Sequence, residues 1–149
     1  MPSPATADFS AQVLALIQAR RTVKPLQFSD APVPDAVIEG LLEAARWAPT
    51  HGLTEPWRFQ VFTGAARARL GQWFADSYRA RTPADKVDEK RAALLGSVPG
   101  MAPCVIAIVM ARQVEQRIPE VEEVAAVACG VQNMQLLAAA QGLGTFWQT

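Results

Sequence analysis

The 149-residue sequence predicts a single domain built from both helices and strands. Three patterns carry that expectation. Apolar residues recur at helical spacing in several segments, "WRFQVFT" alternates at strand spacing, and "PCVIAIVM" is a short apolar run with β-branched residues at three positions. Half of the residues are hydrophobic and 19% are charged, so a chain of this length can bury most of its apolar surface in a folded core.

Taken in order, Phe9, Val13, Leu16 and Ile17 form one stripe of a first helix. That helix should end near Arg20 and Arg21, because Val23 and Lys24 must turn extended before Pro25. "SDAPVPD" reads as a loop. Pro34 suits the first position of a second helix and Asp35 its electropositive end, with Val37, Ile38, Leu41, Leu42 and Ala45 as the buried face. Pro49 stops it. "WRFQVFT" sets Trp57, Phe59 and Val61 against Arg58, Gln60 and Phe62, the period of a strand. A third helix carries Leu70, Trp73, Phe74 and Tyr78 on one face. Residues 80–100, with "RTPADKVDEKR", read as a solvated, mobile excursion. "PCVIAIVM" is a central strand, apolar on both faces. "EVEEVAAVACGVQNMQLLAAAQG" is one long buried helix that Gly142 can end in a left-handed turn. "TFWQT" starts a strand, and the sequence stops there.

Composition narrows the function classes. Lys plus Arg equals Asp plus Glu at 14 each, which gives no support for a nucleic-acid partner or an acidic membrane surface. "MPSPATADFS" lacks the basic start and apolar centre of a signal peptide, and Cys104–Ala111 is too short to span a bilayer. Cys104 and Cys129 lie in apolar segments without metal-like spacing and read as buried free thiols. Together these features predict a cytoplasmic protein.

Two stretches can carry chemistry. In "RRTVK" an extended backbone puts Arg20, Thr22 and Lys24 on one face, with Arg21 at the edge. Two cations around a hydroxyl make a cradle for an anionic ligand. The same residues can equally cap the C-terminal end of the first helix. "APTHGLTEP" holds the only histidine, His51, between Trp47 and Trp57. A lone histidine is either a hydrogen-bonded loop residue or a ligand contact, and an imidazole carries an N–H donor in either protonation state. A histidine metal site and a Ser-His-Asp triad both lack partners, and neither GxGxxG nor GxxxxGK is present.

An Arg-Arg-Thr after a first helix, a helix ending in "AARWAPTHGLTEPWRF", and "AAVACGVQNMQLLAAAQGLGTFW" follow one another in order over nearly the whole chain. This set resembles the FMN-dependent nitroreductase family, in particular its small single-domain NAD(P)H nitroreductase branch. The resemblance implies an α+β fold over residues 1–149, with a central, mostly antiparallel sheet wrapped by helices, and a tight homodimer holding FMN at the subunit interface. It implies that Arg20, Arg21 and Thr22 hold the phosphate and ribityl chain, and that Lys24 lies near the pyrimidine edge of the flavin. Trp47 and His51 approach the ring, and Trp147, Gln148 and Thr149 contribute from the last strand. It implies no catalytic acid or base from the protein and no metal. FMN would take hydride from NAD(P)H and pass electrons to a nitroaromatic, quinone or similar small acceptor.

Two departures accompany the resemblance. Relatives commonly carry Asn in the loop and Gln before "PW", where this chain reads Gly52 or Leu53 and Glu55. Family members also continue into a further helix and a "GFLYLG"-like strand, so the sequence reads as lacking the C-terminal segment. The alternative expectation is therefore a truncated relative with weak or no flavin binding and no turnover.

Overall fold

A computed structural model describes residues 4–148, with side chains from Asp8 onward. Among the described residues are five α-helices, α1 (Pro4–Ala19), α2 (Asp35–Arg46), α3 (Ala65–Arg81), α4 (Glu89–Ser97) and α5 (Glu120–Ala140). They are joined by short 3-10 turns and by two strands, β1 (Trp57–Thr63) and β2 (Cys104–Met110). The fold is α+β. The described chain forms two compact units. One comprises the chain up to Lys24, Asp35–Arg58 and the stretch from Met110 onward; the other comprises Pro25–Pro34 and Phe59–Val109.

In the first unit α2 and α5 form the main helix pair, and α1 packs on α5. Their buried residues are Ile38, Leu41 and Ala45 on α2, and Ala126, Val127, Val131, Met134 and Ala138 on α5. The seam is tight because α5 presents Gly130 to α2: a Cβ there would lie 3.2 Å from the Ala45 carbonyl oxygen. Asn133, one of the polar residues interrupting the apolar run, donates from its side-chain amide to the Ala44 carbonyl at 3.2 Å. A part-buried amide is thus satisfied across the same seam.

Gly142 ends α5 as its sequence position predicts, at φ 75°. Its N–H donates to Ala139 at 3.1 Å and the N–H of Leu143 donates to Ala138 at 2.8 Å, the double closure of a Schellman turn. The stripe on α1 is less buried than its periodicity suggests. Phe9, Val13 and Ile17 stay 66%, 40% and 47% exposed.

In the second unit α3 and α4 pack closely, and β1 pairs with β2. In the first unit, the N–H of Ala111 donates to the Pro56 carbonyl at 2.7 Å. That bond joins the residues that flank the paired ends of the two strands.

Helix α4 corrects the expectation of a mobile excursion over residues 80–100. Asp88 caps it, accepting from the N–H groups of Lys90 at 2.9 Å and Arg91 at 3.4 Å, and Ala92 is buried against the unit. Arg79 on α3 grips Glu89 with its guanidinium, from 2.8 Å, and holds that carboxyl below the usual glutamate range. Strand β2 also differs from its reading as a central strand, since its residues are half-buried and Val109 is 54% exposed.

Candidate functional site

Helix α1 ends where its sequence allows, and the chain then runs extended through "RTVK". Thr22 forms a parallel bridge with Thr145, and the N–H of Val23 donates to the Thr145 carbonyl at 2.9 Å. The predicted terminal strand is therefore a single bridge among the described residues. It brings the first basic segment and the last aromatic segment side by side. The bridge puts Thr145 level with Thr22, and an extended segment would carry Arg20, Thr22 and Lys24 on one face.

The two arginines are used differently. Arg21 turns back on the helix end, donating to the carbonyls of Gln18 and, at 2.8 Å, of Arg20. It satisfies carbonyls that a helix terminus leaves open. Arg20 is half-buried, and its guanidinium makes no hydrogen bond or ion pair to a described residue. Its planar fork carries five N–H donors. Lys24, Trp147 and Gln148 are exposed, and Thr149 lies outside the described residues.

The loop after α2 is held from both sides. Trp47 is 79% exposed, and its indole N–H donates to Glu43 Oε1 at 3.0 Å. His51 places Nδ1 2.6 Å from Glu122 Oε2 in the first turn of α5. Between His51 and Pro56 the backbone turns left-handed at Gly52 (φ 61°), Leu53 (φ 53°) and Glu55 (φ 41°). For two non-glycine residues this conformation costs on the order of 1–3 kcal/mol each, a strain that clusters at ligand-binding sites. Ile118 lies beside Gly52, 3.5 Å from where a Cβ would stand. Trp57, on the other side of the loop from Trp47, is core at 6% exposure.

Beneath the loop lies a buried ion pair. Glu123 is 1% exposed and accepts from Arg112 Nε at 2.9 Å and from the N–H of Gln113 at 3.3 Å. Arg112 also donates to the Ile118 carbonyl at 2.9 Å. Adjacent carboxylates of α5 therefore hold two loops: Glu122 holds His51, and Glu123 holds the segment that carries Ile118. Sequence reasoning missed Arg112, Glu122 and Glu123. "EVEE" opening an apolar helix reads as a response to the helix dipole, and only the need of a lone histidine for a carboxylate partner hinted at more.

Elsewhere the chemistry is quiet. Burial pushes the Cys104 thiol up, with a smaller opposing pull from Arg67, so it is a poor nucleophile. Cys129, expected to be buried, is exposed. Among the described residues no group of three His, Cys, Asp or Glu could hold a metal ion, and no helix is long and apolar enough to cross a membrane.

The Nitroreductase family model matches residues 17–149, and the chain belongs to that family. A Bacillus subtilis protein named as an NAD(P)H nitroreductase, YfhC, is 35% identical over 138 residues, covering 90% of this chain and 67% of the relative. Among solved structures, a nitroreductase-like family protein from Bacillus cereus superposes with a TM-score of 0.75 at 31% identity, over 92% of this chain and 69% of that one. A nitroreductase-type protein from Desulfovibrio desulfuricans, solved in complex with FMN, reaches a TM-score of 0.67 at 25% identity over 100% of this chain and 70% of its own.

The exposed His51–Glu122 pair gives a direct expectation. His51→Ala should leave the melting temperature of the apoprotein nearly unchanged, because ion pairs as exposed as this one (61% and 45%) contribute only about 0–1 kcal/mol. If the ring serves a ligand, FMN affinity and the rate of flavin reduction by NAD(P)H should fall instead. Melting curves and flavin titration on one variant separate the two roles. A lower melting temperature with normal flavin affinity would make the loop a turn and nothing more.

Proposed function

We propose that the protein is an NAD(P)H-dependent FMN oxidoreductase that delivers electrons to a nitroaromatic, quinone or similar acceptor, as a cytoplasmic homodimer with FMN at the subunit interface. Membership of the Nitroreductase family, and FMN in a structure that shares its fold, support the class. The observation that supports the site is the bridge between Thr22 and Thr145, which joins the segment of Arg20, Thr22 and Lys24 to the segment that leads on to Trp147 and Gln148. A half-buried guanidinium without a partner among the described residues, next to an exposed hydroxyl, fits a phosphate and its polyol chain.

The chemistry that FMN supplies when bound is two-electron: hydride accepted from NAD(P)H and electrons returned to an acceptor. The chain's own residues bind and orient. Arg20 and Thr22 hold the phosphate and ribityl groups, and Arg21 fixes their backbone by locking the end of α1. Lys24 offers a cation to the edge of the ring where reduction leaves negative charge, which favours the reduced form. Trp47 and Trp147 supply exposed aromatic surface to the ring, His51 a polar contact, and Gln148 and Thr149 the remaining contacts from the C-terminal segment. Gly52, Leu53 and Glu55, where relatives commonly carry amides, border the space for the acceptor.

Arg20→Ala should weaken FMN binding by about 10- to 100-fold, the loss of a charge-assisted contact of roughly 1.5–3 kcal/mol. Arg58→Ala is the control. Its guanidinium is engaged with the carbonyls of Glu55 and Trp57 and should leave affinity within about twofold. Flavin fluorescence titration of apoprotein decides this, and equal losses for the two variants would falsify the assignment of "RRT".

Two observations support the dimer. The apolar stripe of α1 is exposed over Phe9, Val13, Leu14 and Ile17, and α5 leaves Val121 and Val124 exposed at 71% and 49%. Exposed apolar side chains on two helices fit an interface. Light scattering should give twice the chain mass. A monomer that binds one FMN per chain would contradict a shared site. The reducing compartment agrees with Cys104 and Cys129, which are both free thiols.

A further inference from the structure

We propose that Glu122 is a positioning residue for His51: it holds the imidazole as the Nδ1–H tautomer, so that Nε2 is the atom presented to the bound flavin. The inference rests on the placement of His51 at the flavin made above. An ionised carboxylate only accepts hydrogen bonds, so at 2.6 Å from Glu122 Oε2 the proton resides on Nδ1. The neutral ring then offers Nε2 as a bare acceptor, suited to a ribityl hydroxyl or a flavin N–H. It can donate from Nε2 only as the imidazolium.

The contact differs from an incidental surface pair because both of its ends are fixed. Glu122 stands in the first turn of α5 beside Glu123, which is buried and bound to Arg112. His51 opens a loop whose backbone turns left-handed at Gly52, Leu53 and Glu55. Ile118 packs on that loop at Gly52, and the Ile118 carbonyl is itself held by Arg112. The ring is 61% exposed, and Nε2 meets no hydrogen-bond partner among the described residues. One nitrogen is committed and the other is open.

His51 is the only histidine in the chain, so its imidazole nitrogens can be read without assignment by 15N NMR. At pH 8 the full-chain apoprotein should show the Nδ1–H tautomer, and Glu122→Ala should move it towards Nε2–H. In FMN titrations His51→Ala and Glu122→Ala should each weaken binding by about fivefold, the worth of one ordinary hydrogen bond. The double variant should bind no more weakly than either single one. An unchanged tautomer in Glu122→Ala, or losses that add in the double variant, would overturn the role of Glu122. Normal FMN affinity in His51→Ala would overturn the placement of His51 at the flavin, and this inference with it, whatever the tautomer.

Discussion

Arg112→Ala is expected to destabilise the protein by about 3–5 kcal/mol, because it strands the carboxylate of Glu123 in the interior. The Glu123 side chain is fully buried and keeps only the Gln113 N–H, at 3.3 Å, once the guanidinium is gone. At about 2–4 °C per kcal/mol for a chain of this size, the melting temperature should fall by about 10 °C. Glu123→Ala should cost less, about 2 kcal/mol. It leaves Arg112 27% exposed and still bonded to the Ile118 carbonyl and, at 3.4 Å, to Glu120. The order of the two variants is the test, since it follows from which charge is left in the dry. Replacing both residues with leucine should recover part of the loss, as apolar isosteres of buried pairs commonly do. A milder effect for Arg112→Ala than for Glu123→Ala would mean that water reaches Glu123 and that the pair is not buried in solution.

The parts of this fold legible in the sequence are those where one period dominates. Helix α2 lies as its spacing predicts, with Ile38, Leu41 and Ala45 buried, and α5 stops at Gly142 because only a left-handed residue closes that turn. Helix α4 was not legible. Its inner face is made by Ala92 and Gly96, and small residues packed against small residues produce no hydrophobic period, while "DEKR" supplies a strong polar one.

The candidate site divides in the same way. Arg20, Thr22 and Lys24 could be read as one face because an extended segment alternates, and the bridge to Thr145 supplies that extension. Neither the capping role of Arg21 nor the tie of His51 to Glu122 was legible. The first depends on how a helix terminates in space, and the second joins residues 71 positions apart. Periodicity carries no information at that range.

The α3–α4 seam gives a second large expected effect, in which two glycines behave oppositely. A Cβ on Gly71 would lie 2.0 Å from the Gly96 carbonyl oxygen and 3.1 Å from its carbonyl carbon. Both obstacles are backbone, so no side chain can swing aside, and the helices would have to part by about 1 Å. Overpacking of this severity costs about 3 kcal/mol. Alanine returns about 1 kcal/mol of helix propensity, so Gly71→Ala should lose about 2 kcal/mol net. Gly96 faces the same seam, yet its Cβ would meet the Ala75 Cβ and the Gly71 oxygen at 3.6 Å, ordinary contact distance. Gly96→Ala should therefore be neutral or stabilise by up to about 1 kcal/mol. Urea unfolding of the two variants beside the parent measures the difference, which should be about 2–3 kcal/mol with unchanged slope. If Gly71→Ala proves as harmless as Gly96→Ala, the two helices do not approach backbone to backbone at this point. Ala92, buried in the same unit, would then need another partner.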